Sequence, residues 1–142
     1  MSNLKQGNGD DHPDASGKHL ADARVLLAAT RSDGAAYLAG YVVECALKSL
    51  VQLETGKALR GHQLATLMAE VSAACMAAGA GTARYVTTHV QGVPTARIAV
   101  WRETLRYQSP SMTSRDAQIW VDEADQIYSD TVAAMILDGV IR

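Results

Sequence analysis

One segment limits the possible folds of this chain more than any other. A helix capped by Ser32 or Asp33 and stopped at Gly56 carries Tyr37, Leu38, Tyr41, Val42, Val43, Cys45, Leu47, Leu50, Val51 and Leu53, so apolar side chains cover most of its circumference. A helix apolar nearly all round must be enclosed by other helices, as at the centre of a bundle. The exception is a strip of Glu44, Lys48 and Gln52, spaced i, i+4, i+8 and therefore stacked on one line. That strip reads either as a solvated edge with one helical ion pair or as a polar strip lining a cleft. Composition agrees with a helical surround: 24 Ala, no Phe and three Pro in 142 residues favour helix and leave little aromatic material for a sheet core. The expectation is an all-α, antiparallel up-and-down bundle of four to five helices in one domain, residues 14–142.

The remaining helices follow from apolar period and breakers. Residues 1–13 are polar and read as a disordered tail; Asp14 or Ser16 caps a first helix to about Ala29, with Leu20, Ala23 and Leu27 on one face. A third helix runs from about His62 to Ala78 and ends at Gly79 and Gly81. Residues 82–95 have no clean period and suit a short helix, a loop or an extended segment equally. A fourth helix is expected from Ala96 to Gln108, limited by Pro110, and a long fifth helix reaches Leu137 with Ala117, Trp120, Val121, Ala124, Tyr128, Thr131, Val132 and Met135 inward.

A net charge of -2 excludes a broadly basic nucleic-acid binder, but charge is segregated. Arg84, Arg97, Arg102 and Arg106 face a single acid, Glu103, in their stretch, whereas Asp116 to Asp138 holds six acids and no base. A polyanion would contact the first stretch. Cys45 and Cys75 fall on apolar helix faces and read as buried thiols suited to a reducing cytoplasm. No export signal or membrane span is apparent. The chain lacks a Walker loop, His-Glu-x-x-His, Cys-x-x-Cys and Gly-x-Ser-x-Gly, and its four His are not paired at metal-ligand spacing, so neither metal nor cofactor is expected.

Three pieces in order carry a family likeness. Ala36-Tyr-Leu-Ala-Gly-Tyr-Val-Val-Glu44-Cys-Ala-Leu-Lys48, then Gly61-His62-Gln-Leu64 with Leu67, then Leu105-Arg106-Tyr107 ahead of a long helix with Ala117, Trp120 and Ala124, together resemble the HEPN family (higher eukaryotes and prokaryotes nucleotide-binding) over residues 16–137. The resemblance implies a helical bundle that dimerises, with its cleft near the two-fold axis. It also implies a place among metal-independent ribonucleases or toxins encoded beside a nucleotidyltransferase partner, or among their inactive RNA-binding and scaffolding relatives.

Active members carry Arg, four to six residues, then His near the start of the last core helix. There Arg holds phosphate and His moves a proton as a ribose 2′-hydroxyl attacks. In this chain Arg106 and Tyr107 occupy that region and no His follows. Arg84-Tyr-Val-Thr-Thr-His89 has the spacing but lies upstream. Arg102 and Arg106, i and i+4 on the expected fourth helix, either pair with Glu44 or the fifth-helix acids or form a phosphate patch with Tyr107 stacking on a base. The candidates are therefore Arg102, Arg106 and Tyr107, with Arg84 and His89 as the alternative pair, and Glu44, Lys48 and His62 as cleft-lining residues. The expected partners are a second copy of the chain, suggested by Trp101, Trp120 and the apolar second helix, together with RNA and a nucleotidyltransferase antitoxin. The other class of reading is a helical assembly subunit that binds a partner protein without chemistry.

Overall fold

A computed structural model describes residues 1–142 and is helical without strands. Helix α1 spans His12–Ala28, α2 Ser32–Thr55 and α3 Leu64–Cys75; α4 is a single turn, Thr88–Gln91, and α5 spans Ser114–Tyr128. α5 continues through a π turn, Ser129–Ala133, into a last helical turn, Ala134–Leu137. Helix α2 is the centre that its apolar circumference requires: α1, α3 and α5 all pack on it, and α1 also packs on α5. Ala35, Ala36, Ala39, Val42, Val43, Ala46, Leu47 and Leu50 are fully enclosed or nearly so, and the alanines among them let neighbouring helices approach closely. By length and apolarity α2 could cross a membrane, yet 78% of its most apolar window is buried by these helices. It stops where Gly56 takes φ 72°, with its N–H bonded to the Gln52 carbonyl.

Two expectations are corrected. Residues 1–11 are not a free tail. Asp11 caps α1 and accepts both the N–H and the hydroxyl of Ser2 at 2.6 and 2.7 Å; the Gln52 amide donates to the Leu4 carbonyl at 2.7 Å; and Asn3 N–H bonds the Arg142 carbonyl at 3.0 Å. A polar segment reads as a tail when its partners lie far off in sequence, here up to 139 positions away.

The fourth long helix does not form. Its residues make two 3-10 turns, Arg97–Val100 and Glu103–Tyr107, separated by Trp101 and Arg102 with ψ near 142° and 145°. The cause is tertiary. The Glu123 carboxylate accepts the N–H groups of Arg97 and Ile98 at 2.9 and 2.8 Å, which fixes the first turn to α5. The Trp101 indole then leaves the helical path, fills the space above Gly40 and donates Nε1–H to the Tyr37 carbonyl at 3.0 Å. The stretch 82–95, which shows no period, consists of a 3-10 turn, Ala83–Tyr85, then α4 and a second 3-10 turn, Val93–Thr95. These short turns close the bundle between α3 and α5. Trp101 and Trp120 are buried inside the chain, so they supply none of the uncovered apolar surface on which a dimer was expected.

Candidate functional site

Glu44 and Lys48 do not line an open cleft, nor do they form a solvated edge. Lys48 Nζ lies 2.8 Å from Glu44 Oε1, and the two side chains are only 6% and 4% exposed. The N-terminal segment covers the same strip at Gln52. The second oxygen of Glu44 is taken by His62, whose Nδ1 lies 2.9 Å from Oε2. His62 precedes α3 in the turn that follows Gly56, and Gly61, at φ +89°, bends the backbone so that the imidazole meets α2. A carboxylate only accepts, so Nδ1 is the donor in this contact and Nε2 is left outside it. The ring is 46% exposed and borders a pocket of about 320 Å³ shared with Arg60, Gln63, Thr66 and Glu103.

An aromatic relay joins this pocket to the expected arginine patch. The hydroxyls of Tyr37 and Tyr41 lie 3.1 Å apart. The Tyr41 ring stands edge-on to Trp101 at 4.9 Å and to His62 at 6.4 Å between centroids. Burial, followed by the Tyr37 hydrogen bond, pushes the Tyr41 hydroxyl well above its ordinary range. The Arg106 guanidinium sits over the Tyr107 ring, 4.8 Å from the centroid, and the neighbouring Tyr107 and Tyr37 hydroxyls raise its pKa. In a 3-10 turn residues i and i+3 eclipse, so Arg106 projects on the same side as the pocket-lining Glu103. Arg106 and Tyr107 are exposed.

Arg102 is not part of this patch. Without an α-helix there is no i, i+4 face, and its guanidinium folds back onto the Trp101 and Ala99 carbonyls at 2.8 and 3.4 Å. Neither Arg102 nor Arg106 pairs with Glu44 or with the acids of α5.

Arg84 and His89 have the family's spacing but do not converge on a common ligand. Arg84 bonds the Tyr85 hydroxyl at 2.7 Å and lies 3.3 Å from Asp138, whereas His89 Nδ1 lies 3.0 Å from Asp130. Those two acids are eight positions apart on one continuous helical segment, about 12 Å at 1.5 Å per residue. The charge segregation along the sequence is therefore partly cancelled in space. Arg84 is met by Asp138, whereas the guanidinium groups of Arg97 and Arg106 are exposed and in no ion pair; Arg60 is the cation that shares the pocket with His62.

Sequence reasoning missed Arg60, Tyr37 and Tyr41 as site residues. Tyr37 and Tyr41 sit among the apolar residues of α2, where their hydroxyls carry no separate signal; Arg60 lies two positions before His62. Cys45 and Cys75 are buried free thiols, and burial pushes Cys45 up to about 12. No three His, Cys, Asp or Glu side chains cluster as metal ligands.

Titration of the surrounding groups gives a pH prediction. Burial holds His12 and His19 below their ordinary 6.5. Asp11 and Asp130 are held below 3.8: burial opposes this, but hydrogen bonds from Ser2, and from Thr87, Gln126 and His89, prevail. The Thr82 hydroxyl holds Glu54 below 4.5. Every one of these groups takes up protons more readily unfolded than folded, so each loses its contribution on acidification. The melting temperature should change little between about pH 7 and 8, fall as pH drops below about 6.5 through the histidines, and fall again below about 4.5 through the acids. Thermal melts from pH 8 to 3 check this, and His12→Asn with His19→Asn should flatten the first fall.

Among known families, residues 14–134 match the family model of the HEPN domain. No curated protein and no solved structure matches the chain.

Proposed function

We propose that this chain, which belongs to the HEPN domain family, binds single-stranded RNA through Arg106, Tyr107 and the His62 pocket. The family is associated broadly with nucleotide and RNA chemistry. On this reading the protein acts in the cytoplasm as a metal-independent ribonuclease of a toxin-antitoxin or defence pair. A nucleotidyltransferase is its antitoxin, and a second copy of the chain doubles its small basic face. One observation carries the reading: an exposed arginine stacked on an exposed tyrosine, on the same short turn as Glu103, which lines the pocket that His62 and Arg60 share. Arginine meets phosphate, and a tyrosine face accepts any base.

The footprint is small and the α5 acids oppose a phosphate chain elsewhere, so affinity should be modest and electrostatic. Titration of a fluorescent single-stranded RNA at several salt concentrations should give a slope of log affinity against log salt of roughly -2 to -4. Arg106→Glu should weaken binding at least about tenfold, Tyr107→Ala should cost roughly 1 to 3 kcal/mol, and Arg84→Glu should change little. Absence of binding at low salt, or binding indifferent to Arg106→Glu, would leave the partner-binding assembly subunit in its place.

A further inference from the structure

Arg60 and Glu103 carry opposite charges and line one pocket of about 320 Å³, yet neither is in an ion pair. They come from two separate segments: Arg60 from the turn that leads into α3, and Glu103 from the 3-10 turn that carries Arg106 and Tyr107. The fold thus holds a donor fork and an acceptor pair around the same space without letting them close on each other. A ligand with a donor edge for the carboxylate and an acceptor edge for the guanidinium satisfies both at once. The volume is at the lower end of small-ligand sites, which suits one planar ring system. His62 supplies an aromatic wall: its ring is 46% exposed at the pocket and is braced from behind by Glu44 at 2.9 Å. An unstacked base finds its usual support on such a ring.

Resting on the RNA-binding reading above, we infer that this pocket selects a guanine base of the single strand, with Glu103 and Arg60 as its specificity-determining residues. A carboxylate only accepts, and guanine is the common base whose Watson–Crick edge sets two donors side by side, N1–H and the N2 amino group. Its other edge sets two acceptors, O6 and N7, which an arginine fork meets with paired N–H groups. Adenine and cytosine place an acceptor nitrogen beside their amino group, and uracil flanks its one N–H with two carbonyl oxygens. Each of these turns lone pairs on the Glu103 carboxylate and leaves it short of a partner. The placement of the acid supports the same conclusion. On a face that meets phosphate an unpaired carboxylate repels the strand unless a base edge engages it. Glu103 and Arg106 are three residues apart on one 3-10 turn, about 6 Å at 2.0 Å per residue, so one turn carries both the base-reading acid and the phosphate-binding arginine, and Tyr107 is left to stack on a neighbouring base.

The test uses the full chain and fluorescent oligouridylates that differ only at one central position, titrated at low salt. The strand with guanine there should bind at least about tenfold more tightly than those with adenine, cytosine or uracil. Inosine, which lacks the N2 amino group, should lose most of that preference, and 7-deazaguanine, which lacks N7, a part of it. Glu103→Gln should bring the guanine-to-uracil ratio below about threefold while the all-uridine strand binds as tightly as to the parent or more tightly, because the charge removed is negative; a damaged fold would weaken every strand instead. Arg60→Met should lower the same ratio. Guanosine monophosphate should bind at least about tenfold more weakly than the guanine strand, since it forgoes the base stacked on Tyr107. Equal affinity for the four strands, or a guanine preference that survives Glu103→Gln, would overturn the assignment and leave RNA binding standing. A monophosphate that matches the strand would overturn it in favour of a free-nucleotide site. Parent protein that binds none of the strands removes both readings.

Discussion

Gly40→Ala should destabilise the protein by about 3 kcal/mol, the upper end of the usual cost of overpacking a core. A methyl group built on Gly40 falls 2.1 Å from both Cε2 and Nε1 of Trp101, well inside contact distance. Neither partner can move aside. Gly40 lies in the middle of α2, enclosed on its other sides, and the indole is fully buried, tied by Nε1–H to the Tyr37 carbonyl and wedged against Tyr41. Alanine is intrinsically the better helix former by about 1 kcal/mol, so the steric loss has to exceed that gain, and a displaced buried tryptophan does. Urea denaturation should show the midpoint falling sharply with little change in slope. Trp101→Leu in the same chain should recover part of the loss by giving the methyl room, at the expense of the indole's own burial. A Gly40→Ala protein as stable as the parent would mean that Trp101 is seated elsewhere, and with it the turns that carry Arg106 and Tyr107.

That contact also shows where the sequence stops being informative. The enclosed character of α2 is legible because it is a property of one helix: its apolar side chains surround it, so other helices must as well. The end of α2 at Gly56 and the inward face of α5 are local in the same sense. The break at Trp101 is not. Residues 96–108 have no internal helix breaker, and the helix fails because Glu123, 25 or more positions away, caps its first turn while Gly40 offers the tryptophan a seat. The loss of that helix removes the paired projection of Arg102 and Arg106, a spacing argument that holds only on an α-helix. The same distinction applies to the site. The i, i+4 relation of Glu44 and Lys48 is local and holds; their burial depends on residues 1–11 and on His62, and no spacing reveals it. Arg84 and His89 illustrate the opposite error, a matching spacing whose two members are held by acids two helical turns apart.

Lys48→Met should cost about 3 to 5 kcal/mol, the range for removing one partner of a buried ion pair. The lysine stem already lies in apolar surroundings, so methionine fits its volume and the loss comes from the charge alone. Glu44 is 4% exposed and has no route to water. Without the ammonium it keeps a single partner, His62, against the full cost of a desolvated carboxylate. The pair as a whole is a different matter, since two buried charges recover in mutual attraction roughly what they lose in hydration. Glu44→Gln with Lys48→Met should therefore be far more stable than the sum of the single changes, with a coupling of about 2 kcal/mol or more in a double-mutant cycle measured by denaturant unfolding. Simple additivity would mean that the two side chains do not form a buried pair. A strong coupling with near-parental stability in the double variant would mean that the bundle does not need this pair in order to fold, and that the buried carboxylate's remaining structural work is its contact with His62 Nδ1 at 2.9 Å, which holds the imidazole against α2.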